Sequence, residues 1–142
     1  MSRADSAAEL MKAGKGNCSQ SVLTAFCEEL GLDRDLALKV AKGFGGGMGC
    51  AETCGAVTGA YMVLGLRLTP DNSPESKEKI RGMMKDFREK FIRKNGSYTC
   101  KGLLGYDSSK PEELAIIKEK GLFASLCHKF VRDAVEILEK QG

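Results

Sequence analysis

Apolar residues in this chain recur at every third or fourth position. No stretch shows the sustained alternation of apolar and polar residues that a half-buried strand requires. Cys18, Val22, Phe26 and Leu30 form an i+4 series, with Leu23 and Cys27 beside it. Ile80, Met83, Met84, Phe87 and Phe91 make a second stripe; Phe123, Cys127, Phe130, Val131, Ala134 and Leu138 make a third. The periodicity predicts an all-α fold, a compact bundle of about five to seven helices. At 142 residues the chain fits one domain spanning 1–142 and can bury a real core.

Local signals place the elements. A short Ala-rich helix is expected over residues 5–13. Asn17 followed by Gln20 reads as a capping box opening a helix to about Leu30, which Gly31 closes. Asp33 caps a third helix carrying Leu36, Ala37 and Val40, which ends in a glycine run. A fourth is expected from about Ala51 to Leu66. Ser73 and Pro74 open a fifth, stopped by Asn95-Gly96. A loop, SYTCKGLLGYD, carries Cys100. Ser109 and Pro111 open a short helix with Leu114 and Ile117, and the last helix runs from about Leu122 to Lys140.

Charge and hydropathy narrow the function classes. The formal net charge is +3, with Lys and Arg interleaved with Asp and Glu, so no basic stripe of a nucleic-acid binder is visible. The start, MSRADSAAELMKAG, lacks the apolar core of a secretory signal, and Ala56–Leu66 is too short and Gly-rich to span a bilayer. The expectation is a cytoplasmic protein with no nucleic-acid or membrane partner.

The stretch GFGGGMGCAETCGAVTG, residues 43–59, is the most unusual. A dinucleotide fingerprint needs a third glycine where Met48 stands, and no Gly-Lys-Ser/Thr follows for a phosphate loop. Ala51, Gly55 and Gly59 would form one i+4 row on the following helix. Glycine inside a helix costs about 1 kcal/mol relative to alanine, so the row implies close approach of another backbone or a bulky group. That group is either a helix of the same chain or a second subunit in a homodimer.

Six cysteines fall below the density of a disulfide scaffold. In a reducing compartment such thiols are buried apolar residues, metal ligands or redox groups. Cys54-Gly55-Ala56-Val57-Thr58-Gly59 reads C-G-A-x-x-G, and Cys18, Cys100 and Cys127 flank it in order. With these residues the chain resembles, over essentially its whole length, the redox-active protein family named for a C…CGAxxG…C…C pattern. The resemblance implies a redox role built on those four thiols, without specifying a reaction. Some relatives attach haem through an added segment; this chain has no C-x-x-C-H, so haem is not expected. Cys27 and Cys50 lie outside the family pattern, and Cys27 is expected to be a packing residue.

Cys18 in a first helical turn and Cys54 near a helix start would both sit where helix dipoles favour thiolate. Cys127 lies on the apolar face of its helix and Cys100 on a loop that can tuck against the core. Four thiolates converging from three helices and a loop suit an iron–sulfur cluster or, less well, a zinc ion, with Cys50 as a substitute ligand. Gly45, Gly46, Gly47, Gly49, Gly55 and Gly59 would form the surrounding cradle, bringing N–H groups near the sulfurs.

The alternatives are a thiol–disulfide enzyme or sensor with Cys18, Cys54, Cys100 and Cys127 as catalytic groups, and a binding module held by structural zinc. No thioredoxin-like βαβ pattern is present, which favours a metal centre transferring electrons to an unidentified redox partner protein. Cys50 and Cys54, if both helical, would have Cβ atoms about 5–6 Å apart, beyond disulfide range. His128 is expected in solvent with Ser125 and Arg132. Glu52 complements a helix dipole, and Met83-Met84 belong to the core. Tyr98 and Tyr106 flank Cys100 without a catalytic role.

Overall fold

The computed structural model describes residues 1–141. It contains eight α-helices: α1 (Arg3–Lys12), α2 (Cys18–Thr24), α3 (Arg34–Ala41), α4 (Gly55–Leu66), α5 (Pro74–Asn95), α6 (Cys100–Leu104), α7 (Pro111–Lys120) and α8 (Leu122–Gln141). The described residues hold no strand; the nearest approach to one is an isolated antiparallel bridge between Thr53 and Thr99. The all-α expectation therefore holds. The count is one above the expected range because the Cys100 segment is a short helix, capped by Thr99, whose hydroxyl accepts from Gly102 N–H at 3.0 Å.

Several caps are the ones their residues dictate. Asn17 accepts from Gln20 N–H while Gln20 Oε1 accepts from Asn17 N–H, both at 2.9 Å. Ser73 caps α5 with Pro74 at its first position, and Gly96 closes it in the left-handed region at φ 82°.

Two helix limits differ from expectation. Helix α2 stops at Thr24 instead of reaching Leu30. The Thr24 hydroxyl donates to the Gln20 carbonyl at 2.7 Å, and the next N–H groups, of Ala25 and Phe26, turn back to Val22 and Leu23 in tighter i+3 bonds. Helix α4 starts at Gly55, not at Ala51. Met48 (φ 61°) and Ala51 (φ 59°) join Gly46, Gly47 and Gly49 in the left-handed region, so residues 46–51 form a tight turn. Ala51 thus lies outside the helical row, and the spacing assumed for a helical Cys50 and Cys54 does not apply.

Helix α4 is apolar on all sides and sits at the centre, against α2, α5 and α8, as an enclosed helix should. Its closest neighbour is α2. A Cβ on Gly59 would lie 2.7 Å from the Ser19 carbonyl oxygen, and one on Gly55 would lie 2.9 Å from the Cys18 Cβ. The small-residue face is therefore filled within the chain, by α2. Helix α8 lies along α1 and α5 and buries Cys127, Phe130, Val131, Ala134 and Leu138, as its stripe predicted. On α3 the outcome is narrower: Ala37 and Ala41 are buried, but Leu36 and Val40 are 52% and 57% exposed. Among the described residues no helix is long and apolar enough to cross a membrane.

Candidate redox site

Each of the four pattern cysteines is delivered by a different helix. Cys18 is the first residue of α2, immediately after its Asn17 cap. Cys54 is itself the N-cap of α4. Cys100 is the first residue of α6, and Cys127 lies one and a half turns into α8. All four line one cavity of about 90 Å³. Its remaining wall is mostly apolar, from Met11, Leu103, Leu104, Phe123 and Phe130, with Asn17, Gly46 and Gly55 completing it. The sulfur-bearing residues are 4–8% exposed, so they are buried yet face an opening.

A backbone clasp sets two of the four. The Cys54 N–H donates to the Tyr98 carbonyl at 2.9 Å, and the Cys100 N–H donates to the Glu52 carbonyl at 2.6 Å. Residues 52–54 and 98–100 thereby run side by side. A Cβ on Gly47 would lie 2.4 Å from the Glu52 nitrogen and 3.0 Å from the Cys100 Cβ, so only glycine fits there. Asn17 ties in the third. Beyond capping α2, its Nδ2 donates to the Lys42 carbonyl at 3.0 Å, and Gln20 Nε2 donates to the Leu38 carbonyl at 2.8 Å. The start of α2 is thus fixed to the end of α3 and the glycine run.

The electrostatics divide the thiols. Hydrogen bonding to Cys127 and Cys54 raises the Cys18 thiol well above the usual range, and burial and the charges of the same two groups add to the effect. Cys54 moves the other way. The Cys18 thiol favours its thiolate, burial opposes this, and the Ala56 and Val57 N–H groups at the start of α4 again favour it. Burial, with the charges of Cys54 and Cys127, pushes Cys100 up to about 12, against a small contribution from Ser108. The pocket thus eases ionisation at Cys54 and opposes it at Cys18 and Cys100. A bound cation would relieve the repulsion that blocks further ionisation.

The glycines expected to surround the site take different places. Gly46 and Gly55 line the cavity, Gly47 presses on Cys100, and Gly45 packs against Asn17. Gly59 instead makes room for α2, and Gly49 has open space around it. The N–H groups that favour the Cys54 thiolate come from Ala56 and Val57, not from the glycine run. Cys50 is exposed, with its Sγ 3.3 Å from the Gly47 carbonyl, and does not line the cavity. Cys27 is fully buried away from it, in contact range of the Thr24 carbonyl at 3.8 Å.

His128 is half-buried, and its Nδ1 has no partner; it was expected in solvent. Glu52 pairs with Lys101 at 3.4 Å. Tyr106 is half-buried, and its hydroxyl accepts from Lys120 at 2.8 Å. Met11 and Leu103 were not singled out from the sequence as site residues. Met11 ends a helix with a weak pattern, and Leu103 lies in a segment read as loop.

Among the described residues, no group of three or more His, Cys, Asp or Glu side chains is placed so that it could hold a metal ion. In donor type alone the lining suits a sulfur-ligated centre, with four thiols from four helices on one cavity.

The helical body brings four cysteines from four helices onto one cavity of an all-α scaffold. Residues 16–141 match the model of a family described as "Putative redox-active protein (C_GCAxxG_C_C)". The chain belongs to this family. No curated protein and no solved structure matches it.

Proposed function

We propose that this protein transfers electrons through an iron–sulfur or related metal centre held by Cys18, Cys54, Cys100 and Cys127. The observation that carries the reading is the convergence of these four residues, and of neither other cysteine, on a single cavity. A two-thiol exchange reaction needs only two of them, whereas a sulfur-ligated centre uses four. Bound there, such a centre would supply a one-electron couple. The chain's own residues supply the rest. Met11, Leu103, Phe123 and Phe130 exclude water, Asn17 fixes the start of α2, and the Ala56 and Val57 N–H groups stabilise negative charge on the Cys54 sulfur. The free thiols suit a reducing compartment such as the cytoplasm.

One observation favours a second reading, a thiol–disulfide reaction without metal. Cys18 and Cys54 line one cavity at the starts of two packed helices, and the N–H groups of α4 ease ionisation of Cys54, an arrangement that suits attacking and resolving thiols.

Anaerobic purification separates the readings. Sulfur-to-iron charge-transfer absorption with matching iron and sulfide, lost in Cys→Ser variants at each of the four positions, supports the metal centre. A colourless, metal-free protein that forms a Cys18–Cys54 disulfide on mild oxidation supports the second reading and rejects the first. Stoichiometric zinc without redox activity rejects both.

A further inference from the structure

We propose that the α5 face bearing Lys77, Arg81, Lys85 and Arg88 is the docking surface for an acidic electron-carrier protein, which exchanges one electron with the cysteine site beside Tyr98. This rests on the redox reading above.

Although cations and carboxylates alternate along the sequence, the helix sorts them. Positions 77, 81, 85 and 88 fall within about 80° of arc at 100° per residue, with Glu78 and Glu89 about 20° and 40° beyond Lys85. Lys77, Arg81 and Lys85 are exposed and Arg88 is half-buried. None of the four takes part in an ion pair among the described residues, whereas Lys90 and Lys94 of the same helix are paired with Asp86 and Glu136. Four cations, none of them in an ion pair and with Glu78 and Glu89 only at the edge of their arc, leave this face with a positive excess that attracts a carboxylate-rich surface.

The stripe also leads to the site. Arg88 Nη1 donates to the Tyr61 hydroxyl at 2.9 Å, and its guanidinium lies 5.9 Å from the centre of the Tyr98 ring. Tyr98 is exposed, and its carbonyl accepts the Cys54 N–H at 2.9 Å. One hydrogen bond thus joins the backbone of a surface aromatic residue, at the end of the stripe, to a cysteine of the cavity. Electron tunnelling falls steeply with distance and is carried better by covalent and hydrogen-bonded links than by gaps, so a carrier seated here reaches the site by a short bonded path. The centre that Cys18, Cys54, Cys100 and Cys127 would hold would supply the one-electron couple, matched by the carrier's one-electron acceptor. No bond to protein forms or breaks, and no proton need move.

The experiment uses the full chain, two triple variants of it, and three small probes, two anionic and one cationic. Hexacyanochromate(III), an inert paramagnetic anion, should selectively broaden the amide signals of residues 77–88 and of Tyr98 at low salt. Oxidation of the reduced protein is then timed with anionic ferricyanide and with cationic hexaammineruthenium(III). In K77E/R81E/K85E the ferricyanide rate should fall roughly fivefold or more and the ruthenium rate should rise, with both effects lost near about 0.5 M salt. A variant with equal charge change elsewhere, K15E/K39E/K118E, should change both rates far less.

Equal changes in the two triple variants, or broadening scattered over the surface, would overturn the proposal. So would stripe-dependent binding to phosphatidylserine vesicles or to duplex DNA, which would assign the face to a membrane or a nucleic acid. The broadening needs no redox centre, so a mapped stripe on a protein without a redox-active site would reject the redox reading while leaving an anion-binding face. Normal redox chemistry without a mapped stripe would reject the docking surface alone.

Discussion

Replacing Gly55 with alanine sets two effects of opposite sign against each other. Alanine is the better helix former by up to about 1 kcal/mol, and less of that is realised at Gly55, the first residue of α4. The added methyl would meet the Cys18 Cβ at 2.9 Å, the Ser19 nitrogen at 3.0 Å and the Phe44 carbonyl oxygen at 3.1 Å. Comfortable carbon contacts begin at about 3.5 Å, so neighbours on three sides must retreat by roughly half an ångström. Two of those neighbours are backbone and cannot swing aside. Overpacking of this kind costs about 1–3 kcal/mol, which outweighs the propensity gain and leaves a net loss of about 1–2 kcal/mol. For a chain of this length that lowers the melting temperature by about 3–8 °C.

Gly65→Ala and Gly82→Ala provide the internal control, because both glycines are helical and neither has an atom near the new methyl. Each should raise stability, by up to about 1 kcal/mol. Thermal melts followed by far-UV circular dichroism read all three variants. A Gly55→Ala protein that melts at or above wild type, with the two controls stabilised, would refute the packing argument.

Other outcomes follow from the same geometry. Asn17→Ala removes the α2 cap and the tie to the Lys42 carbonyl, and should cost about 1 kcal/mol in chemical denaturation while shifting the spectrum or potential of the site. Cys27→Ala should cost about 1 kcal/mol and leave metal content and redox behaviour unchanged, since Cys27 does not line the cavity. In the reduced, metal-free protein Cys100 binds its proton more tightly folded than unfolded. Its stabilising contribution is therefore complete below the unfolded thiol's range and is lost as pH rises from there toward about 12. Urea titrations at increasing alkaline pH should show that decline, and Cys100→Ala should flatten it.

Sequence patterns were reliable where side chains act on their own backbone. Asn17, Asp33, Ser73 and Gly96 start or close the elements assigned to them, because caps and left-handed glycines are local devices. The grouping of Cys18, Cys54, Cys100 and Cys127 was legible only as a spaced motif, and its convergence became visible in the packing of four helices. What stayed hidden depends on tertiary context. Met48 and Ala51 give no sign that they adopt the left-handed region, so the start of α4 was misplaced by four residues. Leu36 and Val40 look like core by type but face outward, because Ala37 and Ala41 form the contact. The tie between the Tyr98 carbonyl and Cys54 involves backbone 44 residues apart, which no local pattern encodes.

The clasp between residues 52–54 and 98–100 also has a consequence for the order of assembly. It is a long-range closure across α4 and α5, and Cys127 on α8 joins later still in the order of synthesis. Such non-local contacts form late, since the entropy of closing the intervening chain is lost before they reward it. A nascent chain that has made α2 and α4 can pair Cys18 with Cys54 but holds an open cleft. The enclosed cavity exists only once α8 has docked, so completion of folding and completion of the site are the same event.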